Sequence, residues 1–246
     1  MDEYLQPTPT VQCRHPEIVA FAEQRSRGAS SAVEKAVKLY YAVRDEIRYD
    51  PYSAVVTIEG LKATRTLAEG VGWCVPKAIL LAAGCRALGV PARLGYADVR
   101  NHMSTANMRE RMQTEIYYWH GYTSIHLEGK WVKATPAFNL SMCEKFGLLP
   151  LEFDGHEDSL FQPFDAAGEQ HMEYVRDRGE YADVPLASIQ ETFAGVYAHL
   201  DMGGTQGAPA ESSQDADFEA ELEEEAMSGD VVKCSVLGLA DDRERS

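Results

Sequence analysis

Residues 70–99 read GVGWCVPKAILLAAGCRALGVPARLGYADV, and this stretch decides the fold. The segment Cys74–Leu88 is apolar almost all round, and a helix without a polar face is buried. Pro76 falls in its first turn, where a missing N–H costs nothing, and Gly89 follows as a natural C-terminal cap. The stretch therefore predicts a buried helix, followed by a strand over Pro91–Val99.

Cys74 is a candidate nucleophile because it stands at the start of that helix. The unpaired N–H groups of a first turn and the helix dipole favour an anion, so they stabilise a thiolate. Gly70 and Gly72 allow close backbone approach, and the N–H of the cysteine can form one arm of an oxyanion hole. The alternative is that Cys74 is a small core residue, as we expect for Cys85 deeper in the same helix.

Hydrophobic spacing and turn residues outline the rest of the secondary structure. Apolar positions three and four residues apart predict helices. Alternating apolar and polar residues on both sides of a turn at Glu128–Gly129 predict a β-hairpin. The predicted helices cover His15–Arg25, Ala32–Ile47 and Ala187–Leu200, and the hairpin strands cover Gln113–Leu127 and Trp131–Ala134.

The hairpin offers the base that a thiolate nucleophile needs to take and return its proton. His120 and His126 share one face of the first strand but lie about 20 Å apart, so only one of them can serve the cysteine. With a two-residue turn, His120 faces Ala137 on the second strand. Its diagonal neighbours on the same face are then Thr135 and Asn139, either of which can orient the ring.

Two blocks of this chain resemble the transglutaminase-like superfamily of papain-type thiol enzymes. The segment GWCVPKA…LLAAGCRALGVPAR over 72–93 is similar to the nucleophile helix of that family, and HGYTSIHL over 120–127 to its histidine strand. The resemblance covers roughly 47–135. It implies an α+β, papain-like core, with the nucleophile helix packed on an antiparallel β-sheet. It also implies Cys74 as the nucleophile and His120, not His126, as the base.

The chain departs from the family pattern at the residue that orients the base. Thr135 stands where the family carries an aspartate, and Ser124 stands at the position of a family glutamate. A threonine can accept a hydrogen bond from the histidine but brings no charge to stabilise an imidazolium. Asn139 is the alternative orienting residue from the hairpin register, and Asp154 is a third candidate.

The resemblance implies a cysteine-dependent acyl-transfer enzyme that acts on amide or peptide bonds through a thioester at Cys74. Water would resolve the thioester in a protease or amidase, and an amine would resolve it in a transglutaminase. The missing aspartate motivates an alternative, a catalytically silent transglutaminase-like binding or scaffold module. No cofactor is expected. No metal site is expected either, because the histidines lack the usual ligand spacing; they are His102, His120, His126, His156 and His171.

The composition indicates which classes of binding partner and which cellular compartment to expect. The 246 residues carry a net charge of -16, which argues against nucleic acid or an anionic membrane as a partner. No apolar run approaches the roughly 20 residues of a membrane-spanning helix. The five cysteines are widely spaced, which indicates free thiols and a cytoplasmic location.

Charged residues are unevenly distributed along the chain, and this distribution suggests where the domain ends. The last 46 residues hold 13 acidic and 3 basic side chains and few bulky apolar ones. Such a segment buries too little surface to offset its ordering entropy. We expect an N-terminal extension over 1–14, a catalytic domain over 15–200 and a flexible acidic tail over 201–246. Within that tail we expect a short helix around Phe218–Met227.

Overall fold

A computed structural model describes residues 1–101, 104–160, 172–200 and 218–228. Its helices are α1 (Pro16–Arg25), α2 (Ala32–Glu46), α3 (Ala63–Glu69), α4 (Cys74–Ala87), α5 (Ala106–Met112), α6 (Leu140–Phe146), α7 (Leu186–Val196) and α8 (Phe218–Ser228). Its strands are β1 (Arg48–Tyr49), β2 (Val71–Gly72), β3 (Ala92–Asn101), β4 (Ile116–Leu127), β5 (Lys130–Ala134) and β6 (Met172–Tyr181). The architecture is α+β, as predicted.

Helix α4 is the buried centre of the fold. All its residues except Ala87 are buried, which confirms the prediction from its apolar sequence. Helices α1, α2 and α3 pack on one side of it, and β3 and β4 pack on the other. Gly89 follows the helix with a φ of +75°, a conformation that glycine adopts without strain.

Helix α2 begins at a capping box formed by Ser31 and Glu34. The Ser31 hydroxyl accepts a hydrogen bond from the Glu34 N–H at 3.1 Å, and the Glu34 carboxylate accepts one from the Ser31 N–H. Reciprocal bonds of this kind satisfy N–H groups that a helix start leaves unpaired. The helix therefore starts at a defined residue and presents Leu39 against α4, at the position of Gly84.

The main sheet has four antiparallel strands in the order β5-β4-β3-β6. The hairpin register is the predicted one, with Thr123 opposite Ala134 and Leu127 opposite Lys130. Glu128 and Gly129 both have positive φ, as a tight two-residue hairpin turn requires. This part of the hairpin prediction is confirmed.

The predicted pairing of His120 with Ala137 is wrong, because β5 ends at Ala134. Beyond that residue the chain leaves β4, and the Thr135 N–H donates to the Ser159 carbonyl at 2.8 Å. The segment around Ser159 bridges to the end of β5, and the hairpin ladder stops there, three residues before the predicted pair. Thr135 and Asn139 consequently lie outside the strand.

The acidic tail contains the short helix that its sequence suggested, and this helix packs on the domain. Phe218 is buried at the start of α8, and glutamates of α8 contact residues of α5 and α6. Phe218 supplies an apolar anchor for this segment, and the flexibility of the tail stays a prediction. Residues 201–217 and 229–246 lie outside the described residues, so the proposed domain boundaries stay a prediction.

Within the described ranges, no helix is long and apolar enough to cross a membrane.

Candidate active site

Cys74 is the first residue of α4, as predicted, and it is 94% buried, with 6% of its surface exposed. Gly70 ends α3 with a φ of +65°. Gly72 lies so close to α4 that an added Cβ would come within 3.2 Å of the Pro76 ring. The two glycines therefore let the chain turn from α3 directly into the start of the nucleophile helix.

The surroundings of the Cys74 sulfur act on its ionisation in opposite directions. Burial raises the pKa of Cys74 to about 11, although the N–H groups of Gly121, Val75 and Cys74 itself hydrogen bond to the sulfur and lower it. The expected donors at the helix start are thus present, together with a third donor from β4. Desolvation outweighs them, so the resting thiol is protonated at neutral pH.

The backbone of β4 approaches the start of α4 very closely at Gly121. A Cβ at this glycine would lie 3.0 Å from the Val75 Cα. Two residues further along, the Thr123 hydroxyl donates to the Ala78 carbonyl at 2.8 Å. These contacts hold the strand that carries His120 against the first two turns of α4.

His120 precedes Gly121 and follows an irregularity of the sheet. Trp119 has a φ of +60°, and the β3–β4 register shifts between Ala97 and Val99. Such irregularities re-aim side chains next to functional sites. The His120 side chain is buried, and its Nε2 has no hydrogen-bond partner.

Burial also lowers the pKa of His120 to about 4. A protonated imidazole would need a compensating charge, and none contributes to its pKa. Cys74 and His120 therefore rest as a neutral thiol and a neutral imidazole. This differs from the stabilised thiolate that the helix start alone suggests, because both side chains are removed from water.

The two candidate orienting residues have different surroundings. The Thr135 hydroxyl is buried without a hydrogen-bond partner. The Asn139 Oδ1 accepts from the Tyr49 N–H at 3.1 Å, and its Nδ2 donates to the Ser141 hydroxyl at 2.7 Å and to Glu219 at 3.5 Å. Neither residue hydrogen bonds to His120, so both roles remain predictions.

The other residues singled out from the sequence have identifiable surroundings. His126 is half-buried and packs edge-on against the Trp131 ring, with centroids 5.2 Å apart. Asp154 is exposed and accepts from the His156 and Glu157 N–H groups, which lower its pKa and cap a turn. Ser124 is buried, and its hydroxyl has no partner.

Sequence reasoning missed two strand tyrosines near the start of α4, one of which, Tyr49, pairs with Gly72, two residues before Cys74. Burial raises the pKa of Tyr49 and of Tyr96 well above the ordinary range, and the nearby Cys74 contributes to both shifts. Tyr96 lies opposite Gly121 in the sheet, and its hydroxyl has no partner. Aromatic residues in strands are usually core residues, so only proximity in space identifies these two.

Lys77 is a further residue that sequence reasoning missed. Its side chain is fully buried one turn after Cys74, and its Nζ donates to the carbonyls of Ile47 at 2.6 Å and Arg44 at 3.0 Å. Burial lowers the pKa of Lys77 to about 7. A lysine within an otherwise apolar helix was the available signal.

Among the described residues, no group of three histidine, cysteine or acidic side chains is arranged to hold a metal ion. His120, His126 and His156 belong to that part of the chain. His102 and His171 lie outside it.

Comparisons with known proteins place this site within a family segment. Residues 19–136 match the family model of the transglutaminase-like superfamily, a span that includes Cys74, His120 and Thr135. The sequence resemblance is confirmed over that segment. No curated protein matches the chain in sequence.

Two solved structures illustrate what this chain is similar to. One, from Cytophaga hutchinsonii, is described as a candidate cysteine protease. It is 18% identical with a TM-score of 0.42, and the match covers 72% of this chain and 53% of that one. Another, from Parabacteroides distasonis, is described as a candidate protease. It is 15% identical with a TM-score of 0.35, and the match covers 48% of this chain and 22% of that one. The chain thus spans about half the length of the first and less of the second.

Proposed function

We propose, from the match of residues 19–136 to the family model of the transglutaminase-like superfamily, that this protein is a cysteine-dependent acyl-transfer enzyme acting on amide or peptide bonds. One observation supports this most directly. Cys74 begins a buried helix, with three N–H groups at its sulfur, against the strand that carries an unpartnered histidine. In this proposal Cys74 is the nucleophile and His120 is the base.

The reaction begins with proton transfer from the Cys74 thiol to the imidazole of His120. The sulfur attacks the carbonyl carbon, and the carbonyl oxygen takes the negative charge of the tetrahedral intermediate. The Cys74 N–H is the proposed donor to that oxygen. His120 then gives its proton to the leaving amine, and a thioester remains on Cys74.

Water resolves the thioester in the default version of this proposal. His120 accepts the proton of the attacking water and returns a proton to the departing thiolate, which restores the resting site. An amine in place of water would give transglutaminase chemistry. The neutral resting pair implies that charge separation occurs only when a bound carbonyl is ready to receive it.

Thr135 is the preferred orienting residue. Its hydroxyl is buried and unpartnered, whereas the Asn139 carbonyl oxygen is occupied by the Tyr49 N–H. A buried hydroxyl without a partner costs about 1–3 kcal/mol, which a bond to the His120 ring would recover. Asn139 remains the second candidate in a Cys-His-Asn arrangement.

A catalytically silent binding or scaffold module is the second candidate function. The observation that favours it is the position of Thr135, because a threonine supplies no charge to an imidazolium. The raised pKa of Cys74 and the lowered pKa of His120 agree with either function.

The deciding experiment screens amide and peptide libraries with the full chain and with Cys74→Ala. Cys85→Ala is the matched control, because Cys85 is buried in the same helix. We expect Cys74→Ala to abolish turnover and to leave the thermal midpoint nearly unchanged, and intact mass spectrometry to trap an acyl adduct on Cys74. Turnover that survives Cys74→Ala would contradict the assignment, and absence of any turnover would favour the silent module.

A further inference from the structure

We infer that α8 is an intramolecular inhibitory segment. It occupies a surface beside Cys74 that fits an acidic segment with an aromatic anchor, and while docked it keeps the cysteine closed to reagents. The docking surface consists of Tyr49, Tyr52, Thr105, Ala106, Asn107, Asn139 and Lys145. The inference depends on the proposed function only for its effect on turnover.

The aromatic anchor is Phe218, the first residue of α8. Its side chain is buried, and its ring lies 5.9 Å from the rings of both Tyr49 and Tyr52 in edge-on arrangements. The Arg111 guanidinium lies over the Tyr52 ring at 4.8 Å and adds a cation–π contact to this cluster. Phe218 thus fills an aromatic pocket formed by residues far away in sequence.

The carboxylates of α8 meet hydrogen-bond donors. Glu221 accepts from the Tyr52 hydroxyl at 2.6 Å and from the Asn107 amide at 2.6 Å. Glu225 accepts from the Ala106 N–H at 2.6 Å, at the start of α5. These bonds match a row of acidic side chains to a row of donors.

The opposite edge of α8 is held by a cation. Lys145 pairs with Glu223 at 2.6 Å and with Glu219 at 3.9 Å. Helix α8 itself has five glutamates and no lysine or arginine. The complementarity of charge is the reason why an acidic segment, rather than a basic or neutral one, fits this surface.

Two residues connect the docked helix to Cys74. Tyr49 contacts Phe218 with its ring, and its backbone pairs with Gly72, two residues before Cys74, in the β1–β2 ladder. Asn139 accepts from the Tyr49 N–H and donates to Glu219 of α8. Docking of α8 therefore holds Tyr49 in place beside a cysteine of which only 6% is exposed.

The test measures the alkylation rate of Cys74 by iodoacetamide in full-length variants, with peptide mass spectrometry. Reaction through transient opening follows the population of the open form. We expect Phe218→Ala to raise the rate about tenfold or more and Glu221→Gln to raise it severalfold. Glu224→Gln is the matched control, because Glu224 is exposed on the same helix and has no hydrogen bond or ion pair among the described residues. It should leave the rate unchanged.

Cys85, buried in the middle of α4, reports global unfolding in the same digest. If Phe218→Ala also raises the alkylation rate of Cys85, that variant has unfolded, and the test then rests on Glu221→Gln, which must raise the Cys74 rate while Cys85 stays protected. An unchanged Cys74 rate in Glu221→Gln, or an equal rise in Glu224→Gln, would overturn the inference. Alkylation requires no turnover, so a protein inactive on every amide leaves this result standing. Conversely, an active enzyme with an unchanged Cys74 rate refutes only the inhibitory role.

Discussion

Replacement of Lys77 by methionine should change how the stability of this protein depends on pH. Lys77 is fully buried, and burial lowers its pKa to about 7, whereas a lysine in the unfolded chain titrates near 10.4. Between these two values the unfolded chain binds a proton that the folded chain does not. The free energy of unfolding of the wild type therefore rises with pH in that window. The same contribution is lost again as pH falls from the upper to the lower of the two pKa values.

The size of the effect follows from the two pKa values. One pKa unit corresponds to 1.36 kcal/mol, so the full difference amounts to roughly 5 kcal/mol. Near pH 7 the folded lysine is still partly protonated, so the two states differ there by less than one proton. Between pH 7 and pH 9 the free energy of unfolding therefore changes by about 2 kcal/mol. Methionine has a similar length and no titration. The substitution should therefore lower the free energy of unfolding most at high pH, where the wild type no longer has to bury a charged lysine.

Urea unfolding of wild type and Lys77→Met at pH 7, 8 and 9 measures this difference. Subtraction of the two proteins cancels the titration of cysteines and tyrosines, which both share. We expect the stability advantage of the wild type over the variant to grow by about 2 kcal/mol across that range. The variant also loses the donors to the Ile47 and Arg44 carbonyls, which adds a constant offset. A difference that does not vary with pH would show that Lys77 keeps an ordinary pKa in the fold and would refute the reasoning.

Further predictions concern the candidate site. His120→Ala should lower turnover by several orders of magnitude and His126→Ala by little, as measured by kcat/KM; equal losses would reject the assignment. Thr135→Ala should cost more turnover than Asn139→Ala, and the reverse order would transfer the orienting role to the asparagine. The alkylation rate of Cys74 should rise about tenfold per pH unit from pH 7 to 10, because its pKa lies near 11; a plateau already at pH 6 would reveal an ion pair. Gly121→Ala should lower the thermal midpoint, because its Cβ would lie 3.0 Å from the Val75 Cα.

Local features of the sequence were enough to predict the elements that form the site. An apolar segment with a proline near its start and a glycine after its end specified α4, and its burial follows from the lack of a polar face. A two-residue turn determined the hairpin register as far as Ala134. Both depend on backbone preferences of residues that are neighbours along the chain, and such preferences can be read directly from the sequence.

The ionisation of the candidate site depended on the tertiary structure. The helix start alone favours a thiolate at Cys74, yet burial under β4 raises its pKa. The same burial leaves His120 neutral. Desolvation is set by the number of atoms that distant segments place around a group, and no local pattern records that number.

The ends and partners of elements were also decided in three dimensions. β5 stops at Ala134, where the chain bridges to the distant segment around Ser159, and Thr135 and Asn139 therefore lie outside the predicted ladder. Helix α8 docks because Phe218 finds a pocket between Tyr49 and Tyr52, although its acidic sequence by itself indicates a solvated segment. The sequence alone determined which elements form around Cys74. Only the fold determined what surrounds them, because burial and pairing arise between residues that the sequence keeps far apart.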